Sequence, residues 1–243
     1  MFLLTASAWG DAAPGDVLLL DGAEARHAAQ VVRLRAGEQI LLSDGAGRRG
    51  RAQVESVERG ELVARLLDVE TLPEPSPRFV LVQALARGDR DEQAVEAATE
   101  LGVDEVVPWQ AARSIVQWRG DKLEKGRARW EAVVRAATKQ SRRPRVPVVA
   151  PAEGLAALRA RVAAADLALV LHESAAGPLA GVELPTAGAV VLVVGPEGGI
   201  TDQELVALTD AGARAVRLGD EVLRSSSAGP AALAVLSAAS RWR

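Results

Sequence analysis

The sequence predicts an α/β protein with a parallel sheet, preceded by a smaller, mostly β unit. Three observations carry that prediction. After residue 78, uniformly apolar runs alternate with helix-like stretches, the pattern of strands covered on both faces by helices. Before residue 72 the runs are shorter and alternate apolar with polar residues, as half-buried strands do. Between the two lies TLPEPSP, 71–77, whose prolines remove backbone donors and restrict the residues that precede them. The chain therefore divides into a β domain over 1–72, a proline-rich linker over 73–77 and an α/β domain over 78–243.

In the first domain the strands are VLLL (17–20), QILLSD (39–44), RAQVESVE (51–58) and LVARLLDVE (62–70). One helix interrupts them, with Asp21 and Glu24 reading as a capping box before Ala25, Ala28, Ala29 and Val32. Small barrels of this kind often handle nucleic acid. Gly45, Gly47 and Gly50 spell GxGxxG. A dinucleotide site needs a helix after that motif, and here an alternating strand follows. Asp44-Gly45 is also a hairpin-turn pair, so the stretch is a turn with Arg48, Arg49 and Arg51 at its tip. No Walker A lysine follows either glycine cluster.

In the second domain FVLVQAL (79–85) is a buried strand. Asp89 with Glu92 caps a helix whose inner face includes Val95, Ala98 and Leu101, and Gly102 ends it. DEVVPW (104–109) is the next strand. Helices cover roughly 122–140 and 152–164. Then come LALVLHE (167–173), VVLVVG (190–195), a helix from about 202, AVRLG (215–219) and a small-residue helix at the end. Trp130 lies at helical spacing with Leu123, Val134 and Ala137, the mark of a core position.

Composition narrows the function classes. The 243 residues include no cysteine, so disulfide and thiolate chemistry are excluded. There is no Cys/His cluster and no HExxH, so no metal site is expected. Every apolar run falls short of the roughly 20 residues that span a bilayer. The opening MFLLTASAWGDAAPGD lacks the basic start of a signal peptide. A soluble, cytoplasmic protein is expected. Residues 113–145 hold eleven Lys or Arg against three acids, an excess of eight, which leaves −11 on the rest of a chain whose formal net charge is −3. That local basic field suits a phosphate backbone. Within it Trp118 sits in the polar stretch QWRGDK and is a candidate for base stacking. Arg142, Arg143 and Arg145 follow a helix end and precede proline.

The loop Gly195-Pro196-Glu197-Gly198-Gly199 stands at the C-terminal end of a strongly apolar strand, where parallel α/β sheets bind their ligands. Thr201 and Glu204 form a capping box for the next helix. Gly198 and Gly199 permit a close backbone approach. Glu197 repels phosphate and suits a neutral or cationic ligand. Leu171-His172-Glu173 and Leu218-Gly219 end two further strands, so the three loops can converge.

With these residues in view, the chain resembles bacterial methyltransferases that modify N3 of a uridine in 16S ribosomal RNA, members of the SPOUT, or trefoil-knot, class. The resemblance rests on residues 27–47, GDR (88–90), ATELGV (98–103), Arg113-Ser114, KQSRRPRVP (139–147), GPEGG with Glu204, and LGDEVLRSSSA (218–228). It implies a PUA-like N-terminal β-barrel that binds RNA and a C-terminal SPOUT-type α/β domain with a parallel sheet and a deep trefoil knot. The chain from about 218 on would thread under the 195–200 loop. It also implies a homodimer, with Leu233, Val235 and Leu236 facing the partner or the subunit's own core. The partner would be 16S rRNA in the assembled 30S subunit.

The cofactor implied is S-adenosyl-L-methionine, held by Leu171, His172, Glu173, Gly195, Pro196, Glu197, Gly198, Gly199, Leu218, Gly219, Val222 and Leu223, with Arg224 nearest the chemistry. RNA would be gripped by Arg26, Arg33, Arg35, Arg48, Arg49, Arg113, Trp118, Arg142, Arg143 and Arg145. The chain departs from the family pattern at Glu221, where arginine is usual, and at Ser226-Ser227, where Glu-Thr is usual. The alternatives are a knotted methyltransferase acting on transfer RNA or 23S rRNA, and an RNA-binding or ribosome-assembly protein that transfers no methyl group.

Overall fold

The expected runs form strands in the computed structural model, which describes residues 1–58 and 60–242. The chain clusters into unit 1, Met1–Glu74 with Thr138–Val146, and unit 2, Pro75–Ala137 with Pro147–Arg243. It passes from one to the other after Glu74, after Ala137 and after Val146.

Unit 1 is built on a mixed sheet in the order β1-β3-β4-β5-β2, with β6 pairing β4. The strands are β1 (Phe2–Leu3), β2 (Val17–Leu20), β3 (Gln39–Ser43), β4 (Arg48–Glu58), β5 (Glu61–Leu66) and β6 (Glu70–Thr71). β1 runs parallel to β3, and the other pairs are antiparallel. Alternation does what the pattern requires: in β4, Ala52 and Val54 are buried while Gln53 and Glu55 face water. They join Phe2, Trp9, Leu20, Leu42, Leu62 and Leu66 in one apolar core.

The glycine-rich stretch is a turn between β3 and β4, as expected, with Gly45 at φ 68° and Gly47 at φ 118°, but Arg48, Arg49 and Arg51 lie in β4 and not at its tip. Residues from the far side of the chain lie against it. Gly47 N–H donates to Pro144 O (3.0 Å) and Val146 N–H to Gly45 O (2.9 Å). A Cβ on Gly47 would collide with the Arg145 guanidinium, so this glycine serves a close approach rather than a phosphate.

Two short helices, α1 (Ala6–Trp9) and α2 (Gly22–Arg26), complete unit 1, and α2 continues as a π-helical stretch over His27–Val32. The Asp21–Glu24 capping box does not form. Asp21 is the N-cap residue without a side-chain cap bond, and the Glu24 carboxylate pairs with Lys139 Nζ at 2.8 Å.

Unit 2 is a six-stranded, fully parallel sheet in the order β12-β10-β11-β7-β8-β9. Its strands are β7 (Arg78–Ala84), β8 (Glu105–Trp109), β9 (Val148–Val149), β10 (Leu167–Leu171), β11 (Ala189–Val194) and β12 (Arg214–Val216). The helices are α3 (Arg90–Glu100), α4 (Asp121–Ser141), whose last residues belong to unit 1, α5 (Leu155–Ala164), α6 (Asp202–Asp210) and α7 (Ser225–Ser240). α3 packs on α7 and α5 on α6.

Val80, Val82, Val107, Val170, Val191 and Val193 lie in one core with Leu158 and Leu208. β-Branched residues fit strands covered on both faces. Trp130, Val134 and Ala137 are buried as expected, while Leu123 is 37% exposed. On α7, Leu233 and Leu236 are fully buried, so they belong to the subunit's own core and not to a free face. The end of α7 is pinned by Arg241, which donates to Gly102 O (2.6 Å), Pro77 O and Asp104 and stacks over Phe79 at 3.9 Å. Among the described residues no helix is long and apolar enough to cross a membrane.

Candidate functional site

All strands of unit 2 point the same way, so the loops that follow them share one edge of the sheet. The sheet reverses its order of winding beside β7: β8 and β9 extend to one side, β11, β10 and β12 to the other. A crevice opens at such a switch. Here it is a cavity of about 700 Å³, within the roughly 300–1,000 Å³ typical of small-molecule sites. Leu171, His172 and Glu173 reach it from the end of β10. Gly195, Pro196, Glu197, Gly198 and Gly199 reach it from the end of β11, and Leu218, Gly219, Val222, Leu223 and Arg224 from the segment after β12. The structure therefore brings the expected residues at 171–173, 195–199, 218–219 and 222–224 to one cavity.

Local interactions hold those loops in place. Thr201 and Glu204 form the capping box of α6, and Gly199 turns at φ 75°. Glu204, only 4% exposed, uses its second carboxylate oxygen to accept from Ala112 N–H at 2.7 Å. That bond fixes the segment leading to Arg113, whose guanidinium donates to Gly198 O at 3.1 Å. A Cβ on Gly195 would stand 2.6 Å from Ile200 and one on Gly198 3.1 Å from the Arg113 Cβ. Main chain, not side chain, thus forms this part of the wall. His172 Nδ1 lies 3.3 Å from Ser174 N–H and 2.8 Å from the Ser174 hydroxyl. Glu197 is not a lone acid, because Arg90 pairs with it at 3.1 Å.

Arg90, Asp202, Arg217 and Ser225 also line the cavity and were not singled out from the sequence. Arg90 belongs to the GDR stretch, but its partner Glu197 lies 107 residues away, a separation that no local pattern reveals. Arg224 is exposed and forms no ion pair among the described residues. The lining thus carries carboxylates and guanidinium groups side by side, suited to a ligand with charges of both signs.

The turn before α3 departs from the expected cap. Asp89 is the N-cap in a left-handed conformation (φ 60°) with no side-chain bond, and Glu92 pairs with Arg129 at 3.2 Å. Asp91, 6% exposed, sits inside instead and accepts from Glu92 N–H (3.0 Å) and Ala86 N–H (3.4 Å). Burial pushes its carboxyl above the ordinary aspartate range, and those two N–H groups pull it only partly back. A raised folded-state value means that stability falls as pH rises from the ordinary range of about 4 through the raised value. Replacing Asp91 with asparagine should remove that slope. Urea unfolding of both proteins from pH 4 to 7.5 measures it; parallel curves would contradict the assignment.

The expected RNA residues differ in what holds them, and Arg113 stands apart in the cavity wall. Arg48 donates to Gly10 O (2.5 Å) and Ala12 O (2.8 Å) and lies 5.4 Å from the Trp9 ring centroid. Arg49 pairs with Glu70 at 2.5 Å, and Arg145 donates to Leu72 O (2.7 Å) and Ala46 O. These three arginines brace unit 1. Trp118, the expected stacking platform, is largely buried. It is 9% exposed, edge-on to Trp130 at 5.7 Å, and its ring lies 2.4 Å from where a Gly126 Cβ would stand. Its ring thus packs against α4 of its own unit. Arg143 is half-buried, whereas Arg26, Arg33, Arg35 and Arg142 are exposed. No group of acids and histidines able to hold a metal occurs among the described residues.

Comparison with known proteins agrees with this geometry. A family model described as an RNA methyltransferase domain matches residues 73–237, and one described as an RNA methyltransferase PUA domain matches residues 20–67. The chain is 48% identical over 236 residues to ribosomal RNA small subunit methyltransferase E of Mycobacterium bovis, covering 94% of this chain and 89% of that relative. It is 29% identical over 226 residues to the protein of the same name from Bacillus subtilis, covering 90% and 88%. The crystal structure of a ribosomal RNA small subunit methyltransferase E from Neisseria gonorrhoeae bound to S-adenosyl methionine matches with a TM-score of 0.85 at 31% identity, covering 98% of this chain and 97% of that one.

Proposed function

The chain belongs to the family of ribosomal RNA small subunit methyltransferase E, and from that membership we propose that it transfers a methyl group from S-adenosylmethionine to N3 of a uridine in 16S rRNA. The observation that carries this reading is the cavity where three strand-end loops meet, walled by glycine main chain and lined with charges of both signs. S-adenosylmethionine has an ammonium, a carboxylate and a sulfonium, and the lining offers a counter-charge for each.

The main chain of the loops at 171–173, 195–199 and 218–223 would hold the cofactor. When bound, it supplies a methyl group already activated by the adjacent sulfonium. The protein's own work is to orient. Glu204 and Arg113 keep the 195–199 loop in position, so that N3 and the methyl carbon meet in line. Arg224 faces the oxygens on which charge develops. The target base must leave its stack to reach so recessed a site.

Residues 1–72 are proposed to bind RNA, 73–77 to act as the linker and 78–243 to carry the methyltransferase. A knot in the last part is supported by the return of α7, after edge strand β12, to pack against central β7 and β11. Exposed Val222 (75%) and Leu223 (41%) beside the cavity support a homodimer with the site near its interface. Assembled 30S subunits are the proposed substrate, in the cytoplasm.

Nucleoside mass analysis of ribosomal RNA from cells lacking the gene tests the reaction. N3-methyluridine should vanish from 16S rRNA and return with the gene. Unchanged 16S rRNA would overturn the proposal, and a loss confined to transfer RNA or 23S rRNA would redirect it. RNA grip has its own test. Changing Arg26, Arg33 and Arg35 together to alanine should weaken binding to small subunits and flatten its dependence on log salt by about 0.7–0.9 per lost phosphate contact. Cofactor affinity should stay constant. A wild-type slope would place the RNA path elsewhere.

A further inference from the structure

The reaction proposed above raises a chemical question: uracil N3 carries a proton at neutral pH, and its lone pair is free only when that proton has gone. The cavity's acids offer no obvious base. Glu197 is held by Arg90, while Glu173, Asp202 and Glu221 face solvent. His172 turns Nδ1 toward Ser174.

The opposite device is present at the start of α7. Its N-cap residue is Arg224, whose side chain forms no capping bond, and its first turn holds no acid. The N–H groups of Ser227 and Ala228 both donate to Arg224 O at 2.9 Å. Those of Ser225 and Ser226 precede any intrahelical acceptor. Among the described residues the Ser225 hydroxyl has no hydrogen-bond partner, although the residue is 7% exposed. Arg224 and Ser225 both line the cavity. A long helix with an uncapped positive end, an orphaned buried hydroxyl and a free guanidinium together describe a site waiting for an anionic acceptor.

We propose that the first turn of α7 is the subsite for the imide edge of the target uracil and binds it as the N3-deprotonated anion, so that no side chain acts as the base. This rests on the methyl-transfer reading. Ser225 N–H, Ser226 N–H and the Ser225 hydroxyl donate to one carbonyl oxygen and to the charge delocalised over the ring, and Arg224 adds its positive charge. The N3 proton leaves to solvent water. The N3 lone pair then forms the new carbon–nitrogen bond as the methyl–sulfur bond breaks with its electron pair on sulfur, and a neutral base and a thioether remain. The other cations lining the cavity are engaged elsewhere, and Arg90 is paired with Glu197. Arg113 is bound to Gly198 O, and Arg217 is paired with Asp220 at 3.1 Å.

The test is single-turnover methyl transfer to unmethylated small subunits by the full-length protein from pH 6 to 9. For the wild type the logarithm of the rate should rise with pH and level off once the bound base is ionised. Ser225→Ala should lower the rate at pH 7 by about 10–100-fold and move the midpoint up by about one unit or more. Cofactor affinity by calorimetry should change less than about two-fold, which also reports an intact fold. Ser225→Thr keeps the hydroxyl and should restore both rate and midpoint. Identical profiles for wild type and Ser225→Ala would overturn the inference, as would a midpoint that ignores Ser225 and moves in Glu221→Gln. A wild type that forms no methylated base at any pH would overturn the methyl-transfer reading itself.

Discussion

Replacing Arg224 with alanine should slow methyl transfer by about 10²–10³-fold, roughly 3–4 kcal/mol of transition-state stabilisation, while cofactor affinity stays within a few-fold. The guanidinium is exposed beside the cavity, and no acid among the described residues neutralises it. Its removal leaves no buried partner stranded, so the fold should survive. The loss should appear in the chemical step, because negative charge on the uracil oxygens is greatest as the proton leaves and the methyl group has yet to arrive. Single-turnover rates on small subunits, with calorimetry for the cofactor, separate the two effects. Arg224→Lys should recover only part of the rate, since an ammonium lacks the planar fork. An unchanged rate in Arg224→Ala would assign the residue to structure.

Gly198→Val should weaken S-adenosylmethionine binding by about 100-fold or more without unfolding the protein. The nearest atoms to a new Cβ are the Arg113 Cβ at 3.1 Å and its carbonyl oxygen at 3.4 Å. The Arg113 backbone is itself tied down through Ala112 and Glu204, so the strand-end loop would move instead. A shift of about 1 Å in a main-chain cradle misaligns several hydrogen bonds at once, each worth about 1 kcal/mol. Glycine 198 lies in an exposed loop, far from the apolar core that sets stability. Calorimetry on the variant, with thermal unfolding as the control, decides the point. Wild-type affinity would remove this loop from the cofactor site.

The convergence of three loops was legible because it needs only one inference: parallel strands end on the same edge. Apolar runs such as 167–171 and 189–194 can be nothing but buried strands, so their ends were placed within a residue or two. The two-residue strands β1, β6 and β9 had no such signal, since no period shows in two positions. Capping boxes were legible only in part. Thr201 and Glu204 form theirs although Glu204 also accepts from Ala112 N–H. Asp21 and Asp89 make no side-chain cap, and Glu24 and Glu92 pair with Lys139 and Arg129.

The arginines were the least legible. Arg48, Arg49 and Arg145 stand in the sequence as bare charges, and each donates to a carbonyl or an acid of its own unit. A sequence shows the charge and not the acceptor. Ser225 was missed for a related reason: a serine in a run of three shows nothing until its hydroxyl is found buried and unmet.

Residues Thr138–Val146 belong with the first unit although they stand in the middle of the second one's sequence. Heredity handles genes as linear cassettes, but this architecture is not a linear cassette. A recombination event that exchanged residues 1–74 for those of a distant relative would import a glycine turn and leave behind the Pro144 and Val146 backbone that it pairs with. Gly47 and Arg145 would then come from different parents, and the close approach that demands glycine at one would depend on the other. The two halves are therefore expected to have descended together, and crossovers that survive should carry the short segment around 138–146 along with the first 74 residues.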